Sequence, residues 1–496
     1  MRVVRMLRVM VIFAVAIFEI GCGDTFRPIA IPQNPQPPDP KDTHFALVLT
    51  ANGPETCQPT SPPTLPLPAP DGTPCDPDSH PGTSNRIDVS GDTNVGTATV
   101  GLGPVHAVLL PPNGNQAFVA NQLDNTITSY ATANVGPATT TITLPPGTNP
   151  VFVETTESGT VYAVGQGNTL SVISTSQNVV TKTLTSADGI GPNPVAMVET
   201  PDGKKLYVVN QGGDSVTAVN TIDKTVNSFI PTGTAPIWAV ARADSARVYV
   251  LNQGSGTVSV IDTLNDVVLG APISVGSANY MVYDKVLNRL YLTIPASSQL
   301  AVIDVSVDPP VALPNVNLST VCTVGVCKLD SVTTLPQGSN SDSKKGTIYV
   351  SSFEVNPTTC TQLAGAPVDV PPCVTTRVSV INPATLNLGK TVTTLHTVFV
   401  NSTAVGTKTD VPVVPFCDEN AAVEPHARFR RHIASSADAS KVFVANCDAG
   451  GTDIIKTSDD SFVLKLPAPV SSAPPLPNQS FPPPQNPVFV LSDTRK

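Results

Sequence analysis

Charge is scarce in this chain. Of 496 residues only 13% are charged and 5% aromatic, with a single tryptophan, whereas ordinary soluble domains carry about 25% charged residues. Long amphipathic helices need a charged outer face, so they do not dominate the fold. The 28 basic residues are outnumbered by 38 acidic ones, a net charge of -10, which removes the electrostatic footprint of a nucleic-acid binder. Several motifs are also missing: no GxSxG elbow, no HExxH zinc helix, no Walker loop, no Rossmann fingerprint, no CxxC pair and no CxxCH haem site. The sequence therefore predicts no metal, no cofactor and no assigned catalytic residue.

Proline and glycine, by contrast, are plentiful at 51 and 33, and 40% of the chain is hydrophobic. That combination predicts short strands and tight turns around a sizeable core, and argues against global disorder.

The N-terminus reads as a targeting segment. Arg2, Arg5 and Arg8 precede an uncharged apolar run from Val9 to Phe18, too short to span a bilayer. The run ends at Ile20-Gly21-Cys22-Gly23. This resembles the bacterial lipoprotein signal, with Glu19 standing where that signal prefers an apolar residue. The resemblance implies a signal peptide over 1–21, lipidation of Cys22 and an outer-membrane lipoprotein facing periplasm or cell surface. The ordinary secretory peptide is the competing reading. Prolines 28, 32, 35, 37, 38 and 40 then make 22–43 an extended tether of about 60 Å.

Setting Cys22 aside leaves eight of the nine cysteines, in four local pairs: Cys57 with Cys75, Cys322 with Cys327, Cys360 with Cys373, and Cys417 with Cys447. Bridges of this kind persist in oxidising compartments, which agrees with export. They staple inserts expected near 53–84, 353–376 and 398–431.

The body of the chain is repetitive. KLYVVNQGGDSVTAVN from Lys205 recurs as RVYVLNQGSGTVSVID from Arg247, and the aromatic position returns at Phe118, Tyr162, Tyr207, Tyr249, Tyr291, Tyr349 and Phe443. The steps are 44, 45, 42, 42, 58 and 94 residues, the long ones holding inserts. Period-two alternation with turn residues between the runs gives four antiparallel strands per repeat, the arithmetic of a β-propeller blade. Those phrases resemble the YVTN-family β-propeller repeat of exported and surface proteins, which implies the fold and leaves activity open. The propeller is expected over 44–491, with a tail at 492–496. The second strand of the Tyr349 unit is displaced to Arg377–Ile381, and Asn486–Leu491 matches the inner strand at Asn149–Glu154. The C-terminal strand then completes the first blade, giving eight blades, with seven as the alternative.

Aligning the innermost strands on their leading proline brings His106, Phe152, Ala196, Trp238 and Phe489 to one position, with Tyr280 and His432 at the matching place. His106, Phe152, Trp238, Tyr280 and His432 are thus candidate binding residues at the channel mouth, suited to a planar or sugar-like ligand. The alternative is a plug of stacked rings. In EPHARFRRH, Arg428, Arg430 and Arg431 are candidates for an anionic saccharide or a partner's carboxylates, or pair internally with Asp418 and Glu419. The preferred reading is a monomeric, non-catalytic scaffold held to the membrane by its lipid, with an unidentified envelope protein or saccharide as partner. A lactonase-like or quinoprotein-like enzyme, and a surface-layer component, are the alternatives.

Overall fold

The computed structural model describes residues 44–52, 81–111, 114–133, 136–155, 159–322, 327–336, 344–356, 373–396, 429–447, 450–468 and 485–492. Its strands form eight antiparallel sheets, each a four-stranded blade, with the outer strand of one blade broken into Val267–Val268 and Ile273–Ser274. The innermost strands of blades 1 to 8 are Gln485–Ser492, Pro104–Leu109, Pro150–Thr155, Pro194–Glu199, Pro236–Ala241, Tyr280–Asp284, Lys328–Thr334 and Arg431–Ser435. Each of these touches the next, and the last touches the first. The protein is an eight-bladed β-propeller.

Blade 1 closes the ring. Phe45–Asn52 pairs on one side with Pro81–Asp88 and on the other with the C-terminal Gln485–Ser492, Leu49 facing Phe489 and Val48 facing Val490. The unpaired edges that invite aggregation are thereby removed from the joint. The strand after the first insert is Pro81–Asp88, and Val89–Asp92 is the turn that follows it. In blade 7 the strands Ile348–Asn356 and Cys373–Ile381 continue their pairing out to Asn356 and Cys373, so regular sheet reaches further into the second insert than the spacing suggested.

The repeat motif has a physical reading. The seven aromatic positions from Phe118 to Phe443 are all fully buried, each worth about 1.5–3 kcal/mol of apolar burial. The motif asparagine is buried too. Asn121 donates to Thr128 at 2.9 Å, Asn210 to Thr217 at 2.9 Å and Asn252 to Ser259 at 2.9 Å, clasping the two middle strands of a blade through a hydroxyl seven residues on. Space for the clasp is made by glycine: a Cβ on Gly101, Gly191 or Gly233 would stand 2.6–2.8 Å from the amide of that same asparagine. Two blade joints are latched by phenols. Tyr207 donates to Asp266 at 2.6 Å and Tyr349 to Asp460 at 2.5 Å, each carboxylate also holding a lysine, Lys205 or Lys344.

Candidate functional site

Eight innermost strands bring eight equivalent residues to the axis: His106, Phe152, Ala196, Trp238, Tyr280, Ser331, His432 and Phe489. Six are rings, and they form a closed cycle. His106 stacks on Phe152 with centroids 3.9 Å apart, Phe152 meets Trp238 at 5.4 Å, and Trp238 meets Tyr280 at 4.9 Å. Tyr280 meets His432 at 5.9 Å, His432 stacks on Phe489 at 4.3 Å, and Phe489 returns to His106 at 4.6 Å. Ala196 and Ser331 are small enough for the flanking rings to reach across them. Beside Ser331, Phe429 packs against Tyr280 at 5.0 Å and His432 at 4.6 Å. The rings thus pack edge and face against one another, in the offset and T-shaped geometries that aromatic quadrupoles favour.

The backbone explains why polar residues belong in this layer. The inner edge of each innermost strand has N–H groups with no strand to pair with. His106 Nδ1 accepts the N–H of Val153 at 3.5 Å, Ser331 Oγ that of Ile433 at 2.9 Å, and His432 Nδ1 that of Val490 at 3.2 Å. In each case the acceptor caps the inner strand of the following blade. Burial pulls both imidazoles down to about 3, helped at His432 by the neighbouring His106 and opposed in each by the backbone contact. Both rings are neutral, with the proton on Nε2. His432 Nε2 has no partner among the described residues.

On one side of the ring lies a cavity of about 520 Å³, opening where the innermost strands end. Tyr280, His432 and Phe489 line its base. Side chains two residues on share the same strand face, and here they read Val108, Glu154, Val198, Val240, Val282, Thr333, Ala434 and Leu491. Glu154 is the only ionisable member. Its Oε1 accepts the N–H of Thr155 at 3.3 Å, yet burial raises its carboxyl to about 8. Glu199, at the end of the adjacent innermost strand, also lines the cavity. Burial and then the charge of Glu154 push it to about 8, against the pull of Lys224. Its Oε1 is buried without a partner among the described residues. Two carboxyls thus hold protons at neutral pH in a largely apolar funnel.

All five channel-mouth candidates converge, together with Phe489 and Phe429. His106, Phe152 and Trp238 pack within the ring and do not line the funnel; Tyr280 and His432 do both. Glu154 and Glu199 escaped the sequence reading, although comparison of the second axis-facing position across the blades singles out Glu154. The arginine candidates are corrected. Arg431 is fully buried and donates through Nε to Thr376 at 2.6 Å, and Arg430 lies 4.8 Å over the Phe353 ring, so neither presents a cationic surface for an anion. Arg428 lies outside the described residues. Cys322 and Cys327 form a disulfide with Cα atoms 5.2 Å apart, and Cys447 is disulfide-bonded. Cys22, Cys57, Cys75, Cys360 and Cys417 lie outside the described residues.

No family model and no curated protein matches the chain. Among solved structures it is similar to the dihydro-heme d1 dehydrogenase NirN in complex with DHE, at 12% identity over 87% of this chain and 74% of that one, with a TM-score of 0.55. It is also similar to apo AztD from Citrobacter koseri, at 11% identity over 92% of this chain and all of that one (100%), with a TM-score of 0.50. At such identities the likeness establishes the propeller fold alone. Propellers of this kind serve both enzymes and binding proteins.

Proposed function

We propose that the chain is a lipid-anchored, YVTN-type propeller of the bacterial cell envelope that works as a non-catalytic binding module, with its ligand in the central funnel. The lipobox-like Gly21-Cys22, the proline-rich tether and the even set of eight remaining cysteines support export and anchoring at the outer membrane. The observation that carries the binding reading is the funnel itself: a concave cavity with an aromatic base, apolar walls that include Val108, Val282, Ala434 and Leu491, and polar groups such as Glu154, Glu199 and Thr333 converging on it, the mixture a small-molecule site uses for burial and orientation. Because the ring is held by mutual stacking and by caps to the next blade, the site is formed before a ligand arrives.

A second reading rests on Glu154. A carboxyl raised to about 8 is poised to exchange protons near neutral pH, as a general acid or base must be.

Trp238, the sole tryptophan, touches Tyr280 in the base and reports the ring. Its fluorescence, followed against a panel of cationic, anionic, neutral and saccharide small molecules, should respond to at least one. Ala434→Phe, which fills the funnel, should abolish that response. A tryptophan that answers no member of the panel, or answers equally in the filled variant, contradicts the reading.

A further inference from the structure

Two features of the funnel bear on what it holds. One is the isolation of Glu154, the single carboxyl among the equivalent strand positions, of which Val108, Val282, Thr333, Ala434 and Leu491 also line the cavity. The other is the base, where Tyr280, Phe489 and His432 line the cavity with ring surface.

An unpaired carboxylate between apolar walls is costly, so an empty site keeps its proton. A cation changes the balance by supplying the missing counter-charge. A divalent metal ion is poorly served, because calcium wants six to eight oxygen ligands and only Glu154 and Glu199 offer carboxylates here; among the described residues no three His, Cys, Asp or Glu side chains are grouped to hold a metal. An alkylammonium ion is well served. Its charge pairs with Glu154, its methyl or methylene groups meet valine and alanine, and aromatic faces attract its positive end.

Resting on the funnel as the binding site, we propose that it recognises a small organic ammonium ion, with Glu154 as counter-ion and Tyr280, Phe489 and His432 as the aromatic base. Binding transfers the Glu154 proton to solvent. The groups that face this titration are Glu199 on the neighbouring innermost strand, with Lys224, Asp202 and Tyr162 beyond it, and the neutral His432 and Tyr280 at the base. With Glu154 raised to about 8, affinity should climb as the pH is taken from 6 to 8.

The test is calorimetric titration of the full chain with choline and with its uncharged isostere 3,3-dimethylbutan-1-ol, repeated on Glu154→Gln. Choline should bind at least about tenfold more tightly than the isostere, and Glu154→Gln should erase that preference while leaving the isostere unchanged. Thermal unfolding of the variant verifies its fold, and Val282→Phe, which narrows the funnel without touching the carboxyl, should weaken both probes. Equal affinity for the two probes, choline binding that survives Glu154→Gln, or calcium binding at Glu154 in place of choline overturns the proposal. If other members of the small-molecule panel occupy the funnel and choline does not, the ammonium inference alone falls; if nothing occupies it, the funnel reading falls with it.

Discussion

His432 Nδ1 accepts the backbone N–H of Val490 across the joint between blades 8 and 1, at 3.2 Å. One hydrogen bond thus ties the terminal strand into the ring, fixes the imidazole tautomer and turns its remaining N–H away from the sheet. His106 does the same for Val153 and Ser331 for Ile433. The axis residues are edge caps first, and the funnel base is a consequence.

Neutral buried histidines make the propeller acid-sensitive. With His432 held at about 3 against an ordinary 6.5, the unfolded chain binds the proton more readily, so stability is complete above 6.5 and drains away as the pH falls towards 3. Replacing His432 by Asn keeps an acceptor at the δ position and removes the titration. Between pH 7 and pH 4 the wild type should lose roughly 2–3 kcal/mol more than His432→Asn, read from denaturant unfolding at each pH. Parallel pH profiles would refute the assignment.

Glu154 works in the opposite sense. A folded-state carboxyl raised from 4.5 to about 8 contributes its full stability below 4.5 and loses it as the pH climbs through 8. Glu154→Gln should therefore stabilise the ligand-free protein by about 1–2 kcal/mol above pH 8, a figure discounted for the funnel's access to solvent, and the gain should fade towards pH 4. A variant that is less stable at every pH would show that Glu154 serves as a structural acceptor.

Closure by the last strand predicts a cooperative penalty for removing it. Truncation after Pro484 deletes Gln485–Ser492, strips Phe489 from the aromatic cycle and leaves Phe45–Asn52 as a bare inner edge. The truncated chain should melt at a markedly lower temperature and self-associate in light scattering. Retention of the full-length melting temperature would mean that the ring stands without its terminal strand.

Anchoring is tested at Cys22. Cys22→Ala should move the protein from the membrane fraction to the soluble fraction of the envelope with its propeller intact. Undiminished membrane retention would rule out the lipid tether.

The architecture was readable because the repeat writes its core in plain residues: an aromatic in the second strand, an asparagine three later, a hydroxyl seven beyond that. Blade 1 departs from the pattern, carrying Leu47 at the aromatic position and Thr50 at that of the asparagine, and only its terminal partner Asn486–Leu491 betrayed it. Ring positions led by proline, such as Phe152 and Trp238, aligned readily. Ser331 did not, since a register shift between Leu329 and Val332 displaces it. Phe429 joins the ring from outside any strand, where periodicity carries no signal. Glu154 was legible in principle but sits one layer beyond the aromatic set, and its raised carboxyl comes from surroundings that only the closed ring assembles. Arg430 and Arg431 misled because a dense basic run ordinarily marks a solvated face, whereas here Phe353 and Thr376 receive it.

What stands to be tested is whether the funnel above the aromatic ring holds an organic ammonium ion. A crystal structure of the chain grown with saturating choline tests it most directly. Difference density for one choline is expected between Glu154 and the Tyr280–His432–Phe489 base. Choline seated at the blade edges, with the funnel empty, would contradict it.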